Sequence, residues 1–183
     1  MNIFVLSTGR CGSTTFAVAS KHITNYSSAH ESRAGELSGG RLNYPANHIE
    51  VDNRLSWFLG SLDKVYGNRA FYVHLIRERE EVAHSFVKRY NSGIMEAYRK
   101  RVFIGLSSHK TSPLEVCRHY YDTVNANIEM FLKDKDSQLT VWLNNAEEGF
   151  ASFWNQIGAQ GDKAAAIREW QHQHNASAPI PPQ

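Results

Sequence analysis

Four apolar residues, Ile3-Phe4-Val5-Leu6, run straight into the small and polar stretch Ser7-Thr-Gly-Arg-Cys-Gly-Ser-Thr-Thr-Phe16. A short apolar run bounded by turn residues reads as a strand buried on both faces of a parallel sheet. A helix is predicted directly after it, over residues 14–21. Strand, tight turn and helix in succession point to a layered α/β fold. The same junction is suited to anions, because amides at a helix N-terminus point outward and the helix dipole favours negative charge. Gly9 and Gly12 let the chain turn tightly and approach an anion closely. Ser13, Thr14 and Thr15 add hydroxyl donors, and Arg10 adds a fixed charge with several N–H groups.

The rest of the chain repeats the alternation. Residues 48–51, 70–76 and 137–143 read as strands, the segment AFYVHLI at 70–76 most clearly. Leu55, Phe58, Leu59 and Leu62 recur at helical spacing and predict a helix over 54–66. Further helices are expected over 80–90, 112–132, 147–157 and 162–174, the second of these capped by Ser112 ahead of Pro113. Residues 23–47 have little periodicity and room for one short strand, while 91–110 is basic and irregular. The expectation is a three-layer α/β domain over 1–177 with a central, mostly parallel sheet, and an extended tail at 178–183. Ligands in such sheets bind beyond the carboxyl ends of the strands. That places the turn over 7–15, the residues after Ile76 and those after Val51 along one edge.

Composition removes several alternatives. The 183 residues are 42% hydrophobic and 11% aromatic, enough for one real core. The formal charge of +2, with nine histidines counted neutral, implies neither a nucleic acid nor an anionic membrane as partner. Cys11 and Cys117 stand far apart in no CxxC or Cys/His grouping, so no disulfide framework or structural zinc is expected. The apolar start is too short for a signal peptide or a membrane span, and a cytoplasmic protein is expected. No lysine follows Gly12, as the triphosphate-binding pattern GxxxxGK[ST] requires. Position 17 is Ala where a phosphatase loop opened by Cys11 needs Arg.

A second motif follows the strongest strand: Arg77-Glu-Arg-Glu-Glu-Val-Ala-His-Ser85. Arg77 lies just past the strand's carboxyl end and Ser85 eight residues on, so one turn of chain brings a charge and a hydroxyl onto one anion. Together the two motifs resemble the nucleotide-binding segments of sulfotransferases that use 3′-phosphoadenosine-5′-phosphosulfate (PAPS). In that family a loop [K/R]-x-G-[S/T]-[S/T] after the first strand holds the 5′-phosphosulfate, and it matches Arg10-Cys11-Gly12-Ser13-Thr14, with Gly9 and Thr15 adjoining. An Arg at the end of a later strand and a Ser eight residues downstream hold the 3′-phosphate, matching Arg77 and Ser85. Thr140 to Gly158 resembles more loosely the late strand and acidic helix of the family. The C-terminal RKG-type loop of many cytosolic members is missing, and Arg168 or Asn175 is the candidate substitute.

The resemblance implies the P-loop-like sulfotransferase fold and transfer of a sulfuryl group from PAPS to a hydroxyl or amine of a small molecule or glycan. Adenosine 3′,5′-bisphosphate is then the product, and no metal is expected. Arg10 stabilises the transferring charge. The general base is sought in two segments. His48-Ile-Glu50-Val-Asp52 alternates, placing three ionisable groups on one face of a strand. Ser28-Ala-His30-Glu31 lies where carboxylate-using members carry their base. Glu50 leads, then Glu31, then His48. Lys88, Arg89, Arg99, Lys100, Arg101 and Lys110 form either a solvated face or an anion-contacting one. Trp57 and Phe58 are expected to give the core at least one ring. Cys11 either takes no part in the chemistry or, beside positive charge, is an alkylation-sensitive thiol. Two rivals remain: a P-loop nucleotide kinase or hydrolase, and a non-catalytic nucleotide- or partner-binding domain of the same fold.

Overall fold

A computed structural model describes residues 1–103, 106, 111–172 and 174. Lys110, Asn175 and the tail at 178–183 lie outside them. Five strands form one sheet: β1 (Asn2–Leu6), β2 (Ser27–His30), β3 (His48–Val51), β4 (Ala70–Ile76) and β5 (Gln138–Trp142). Their order is β2-β3-β1-β4-β5, and every pairing is parallel. The mostly parallel three-layer expectation is met.

Burial explains which strands sit where. β1, β3 and β4 are buried at every residue, as strands covered on both faces must be. β2, Ser-Ser-Ala-His, is polar and half-exposed and takes one edge. β5 alternates in exposure and takes the other. The short strand expected somewhere in 23–47 is β2.

The helices are α1 (Ser13–Ser20), α2 (Leu59–Tyr66), α3 (Arg79–Val87), α4 (Gly93–Ala97), α5 (Pro113–Leu132), α6 (Ala146–Gln156) and α7 (Lys163–Arg168). α5 begins on a full capping box, Ser112 accepting from the Glu115 amide while Glu115 accepts from that of Ser112. The single helix predicted over 54–66 is instead a 3₁₀ turn, Asn53–Trp57, followed by α2. Asp52 caps the turn by accepting the Arg54 amide at 2.8 Å. That break leaves Trp57 41% and Phe58 40% exposed, so neither ring is buried in the core, and Trp57 only reaches its edge against Tyr98. The helix predicted over 162–174 ends early, in a 3₁₀ turn at Glu169–Gln171.

Phe16 of α1 meets Phe150 and Phe153 of α6 and the ring of Trp170. On the other face Phe4 packs among Tyr44, Tyr66 and Tyr72. Among the described residues no helix is long and apolar enough to cross a membrane.

Candidate functional site

The turn between β1 and α1 is held from below and left open above. The Ser7 and Thr8 carbonyls accept hydrogen bonds from Ser56 Oγ (3.1 Å) and from the buried Tyr120 hydroxyl (2.9 Å). Gly9, Arg10 and Gly12 all have positive φ, at 84°, 62° and 87°. At Gly12 the need for glycine is double, since a Cβ there would lie 2.7 Å from Leu143 Cδ1. Gly12 is the N-cap of α1 and offers no side chain, and the first turn of α1 carries no acid. Its N-terminal amides therefore keep their donors and dipole for whatever enters from outside.

The second motif converges on this turn. Tyr121 anchors the Arg77 carbonyl at 2.9 Å, and Arg77 Nη1 donates to the carbonyl of Arg10 at 3.3 Å. Arg10 Nε donates to Ser85 Oγ at 3.0 Å. Two segments separated by more than sixty residues thus share one cleft of about 760 Å³, lined by Gly9, Arg10, Gly12, Ser13, Thr14, Thr15, Arg77 and Ser85.

The cleft is cationic. Among its lining residues Arg10, Arg54, Arg77, Lys88 and Arg89 face two carboxylates, Glu31 and Glu81. Those acids are engaged with cations of the same wall: Glu31 with Arg54, and Glu81 with Arg77 Nε at 2.7 Å. Burial and the neighbouring charges of Arg89 and Arg77 push the Arg10 guanidinium below its ordinary value. An incoming anion relieves that crowding. Of the basic run, Lys88 and Arg89 line the cleft. Arg99 and Lys100 instead serve the local fold, bonding Asn91 and Glu96.

Within residues 9–15, Cys11 is the residue that turns away from the cleft. It is 1% exposed, and its Sγ lies 3.2 Å from both Thr8 Oγ1 and the Gly9 carbonyl. Burial pushes the thiol up to about 11, against the smaller opposing effects of Thr8 and Arg77. Of the two readings of Cys11, its burial selects the unreactive one over the activated thiol.

The two base-bearing segments part company. Glu31 lines the cleft beside His30, whose Nε2 is 3.3 Å from Ser13 Oγ. His48 and Glu50 do not line it. They are 6% and 0% exposed and bonded to each other at 3.0 Å, so the ranking that put Glu50 first is reversed by position. Asp52, also fully buried, pairs with Arg41 at 2.6 Å. Arg168 ends α7 without lining the cleft; Trp170, His172 and His174 line it. No sequence pattern marked those three, because Trp170's approach to Gly12 and the histidines' place in the cleft wall depend on α6 and α7 folding back over α1.

No family model matches the sequence, and no curated protein matches it. Among solved structures, the sulfotransferase domain from the curacin biosynthetic pathway superposes with a TM-score of 0.61. The match covers 97% of this chain and 80% of that one, at 14% identity. This is a sulfotransferase fold. At that identity the likeness is one of architecture, and in this sulfotransferase-fold chain any chemistry resides in the side chains of the cleft.

Proposed function

We propose that the chain is a sulfotransferase that takes PAPS as donor and passes the sulfuryl group to a hydroxyl or amine of a small molecule or glycan. The observation that carries this reading is the meeting of the two motifs, Arg10 Nε on Ser85 Oγ and Arg77 on the Arg10 carbonyl. It creates two adjoining anion sites, as a nucleotide phosphorylated at both its 3′ and 5′ positions requires.

In this reading Gly9, Arg10, Gly12, Ser13, Thr14 and Thr15, with the Cys11 amide, hold the 5′-phosphosulfate. Arg77 and Ser85 hold the 3′-phosphate. As the acceptor atom bonds to sulfur, the bond from sulfur to the bridging phosphate oxygen breaks and the bisphosphate leaves. Arg10 and the α1 amides stabilise charge on the moving oxygens. Glu31 takes the acceptor's proton. Its Oε2 is paired with Arg54, which leaves Oε1 for that task.

Calorimetric titration with adenosine 3′,5′-bisphosphate, AMP and ATP tests the reading. The bisphosphate is expected to bind tightest, followed by transfer of label from ³⁵S-PAPS to members of an acceptor panel. Equal affinity for all three nucleotides, or binding of none, overturns it.

A further inference from the structure

Two carboxylates and an imidazole buried along one short strand are expensive unless each is fully partnered. On β3 and at Asp52 just beyond it they are, and two of the partners, Ser27 and Ser32, lie on either side of Glu31 in the sequence. Glu50 Oε1 accepts the Ser32 amide at 2.7 Å, and Oε2 accepts the Ser32 hydroxyl at 2.6 Å. His48 Nε2 donates to the same Oε2 at 3.0 Å, and its Nδ1 lies 2.8 Å from Ser27 Oγ. Burial pushes the Glu50 carboxyl up, but the bonds from His48 and Ser32 outweigh it and hold the group below its ordinary value.

Both donors of Ser32 are thus held by one buried charge. The residue before it, Glu31, has φ of 52°, a conformation that non-glycine residues hold only when their surroundings fix it. Its amide is tied to the Val51 carbonyl at 3.1 Å. The side chain meets Arg54, whose amide is capped by Asp52. The alternation of acids along β3 therefore acts twice on one cleft residue: Glu50 fixes the backbone beside Glu31, and Asp52 fixes its partner.

We propose that Glu50 and Ser32 are positioning residues that present Glu31 to the cleft, with His48 holding Glu50 in place. This rests on the reading of Glu31 as the base of a sulfuryl transfer, but it is tested without an acceptor. A carboxylate held in an anion cleft opposes anion binding. Glu31→Gln is expected to tighten both adenosine 3′,5′-bisphosphate and inorganic pyrophosphate about threefold by calorimetry. Glu50→Gln, which loosens the turn, is expected to tighten both anions in the same direction. Glu31→Gln placed on top of it then adds nothing further. Ser32→Ala should behave likewise, and serves if Glu50→Gln does not fold; Ser32→Thr, which keeps the hydroxyl, should restore wild-type affinity.

A purely structural role moves the numbers the other way, weakening both anions, and that result overturns the proposal. So does an undiminished effect of Glu31→Gln in the loosened variants, or no effect of it in the wild type. Coupling seen with pyrophosphate while the bisphosphate fails to bind removes the nucleotide reading and leaves the positioning role standing. Binding of neither anion ends both.

Discussion

The turn over 7–15 and the strand segment 48–52 carry polar and ionisable groups at similar density, yet the fold uses them in opposite ways. Over 48–52 the groups are consumed internally: His48 on Ser27 and Glu50, Glu50 on Ser32, Asp52 on Arg41 and Arg54. Around the turn, the α1 amides have no cap and cations outnumber acids. One region spends its electrostatics on its own architecture, and the other holds them ready for a visitor. Residue type alone does not separate these cases. Whether the groups are buried among their partners or line the open cleft does.

The contrast breaks most visibly at Arg41. Arg41→Ala strands the buried Asp52, and urea denaturation is expected to show a loss of about 3–5 kcal/mol. An unchanged midpoint means the β3 network is not the closed unit described. Next comes Arg77→Ala. It should weaken the bisphosphate by about 2 kcal/mol, roughly thirtyfold, and erase the preference over AMP. Arg77 is only half-buried, so its melting temperature should barely move. A large stability loss there makes the open region as structural as the closed one.

A smaller effect concerns pH. Glu50 is held below its ordinary value in the fold, so its contribution is present above the unfolded carboxyl's pKa and lost as pH falls through the folded one. Stability of Glu50→Gln, measured as pH falls through the acid range, is expected to depend less steeply on pH than that of the wild type. An equal or steeper slope contradicts the assignment. The smallest effect is at Cys11, where iodoacetamide should label the native protein no faster than it unfolds. Rapid labelling at pH 8 reopens the loop as a reactive site.

Much of this was legible beforehand. β3 and β4 match their sequence patterns residue for residue, and Ser112 with Pro113 marked the start of α5, because these signals are local. The spacing of Arg77 and Ser85 was readable for the same reason. What escaped was long-range. The period of 54–66 fitted a helix, but Asp52 capping Arg54 drew its first half into a 3₁₀ turn. Period two put His48, Glu50 and Asp52 on one face without saying that Ser32 and Arg41 would occupy them. The sequence likewise placed positive charge beside Cys11, but not the burial that overrides it.

The packing of Trp170 against Phe16 has a consequence for how the molecule comes into being. The first strand and its turn are translated more than a hundred residues before β5, α6 and the aromatic ring that covers α1. Until then Phe16 has neither Phe150 nor Trp170 to rest on. Over that stretch of synthesis Phe16 lacks its covering rings, and the cleft, which Trp170 also lines, is complete only once α6 and α7 have followed.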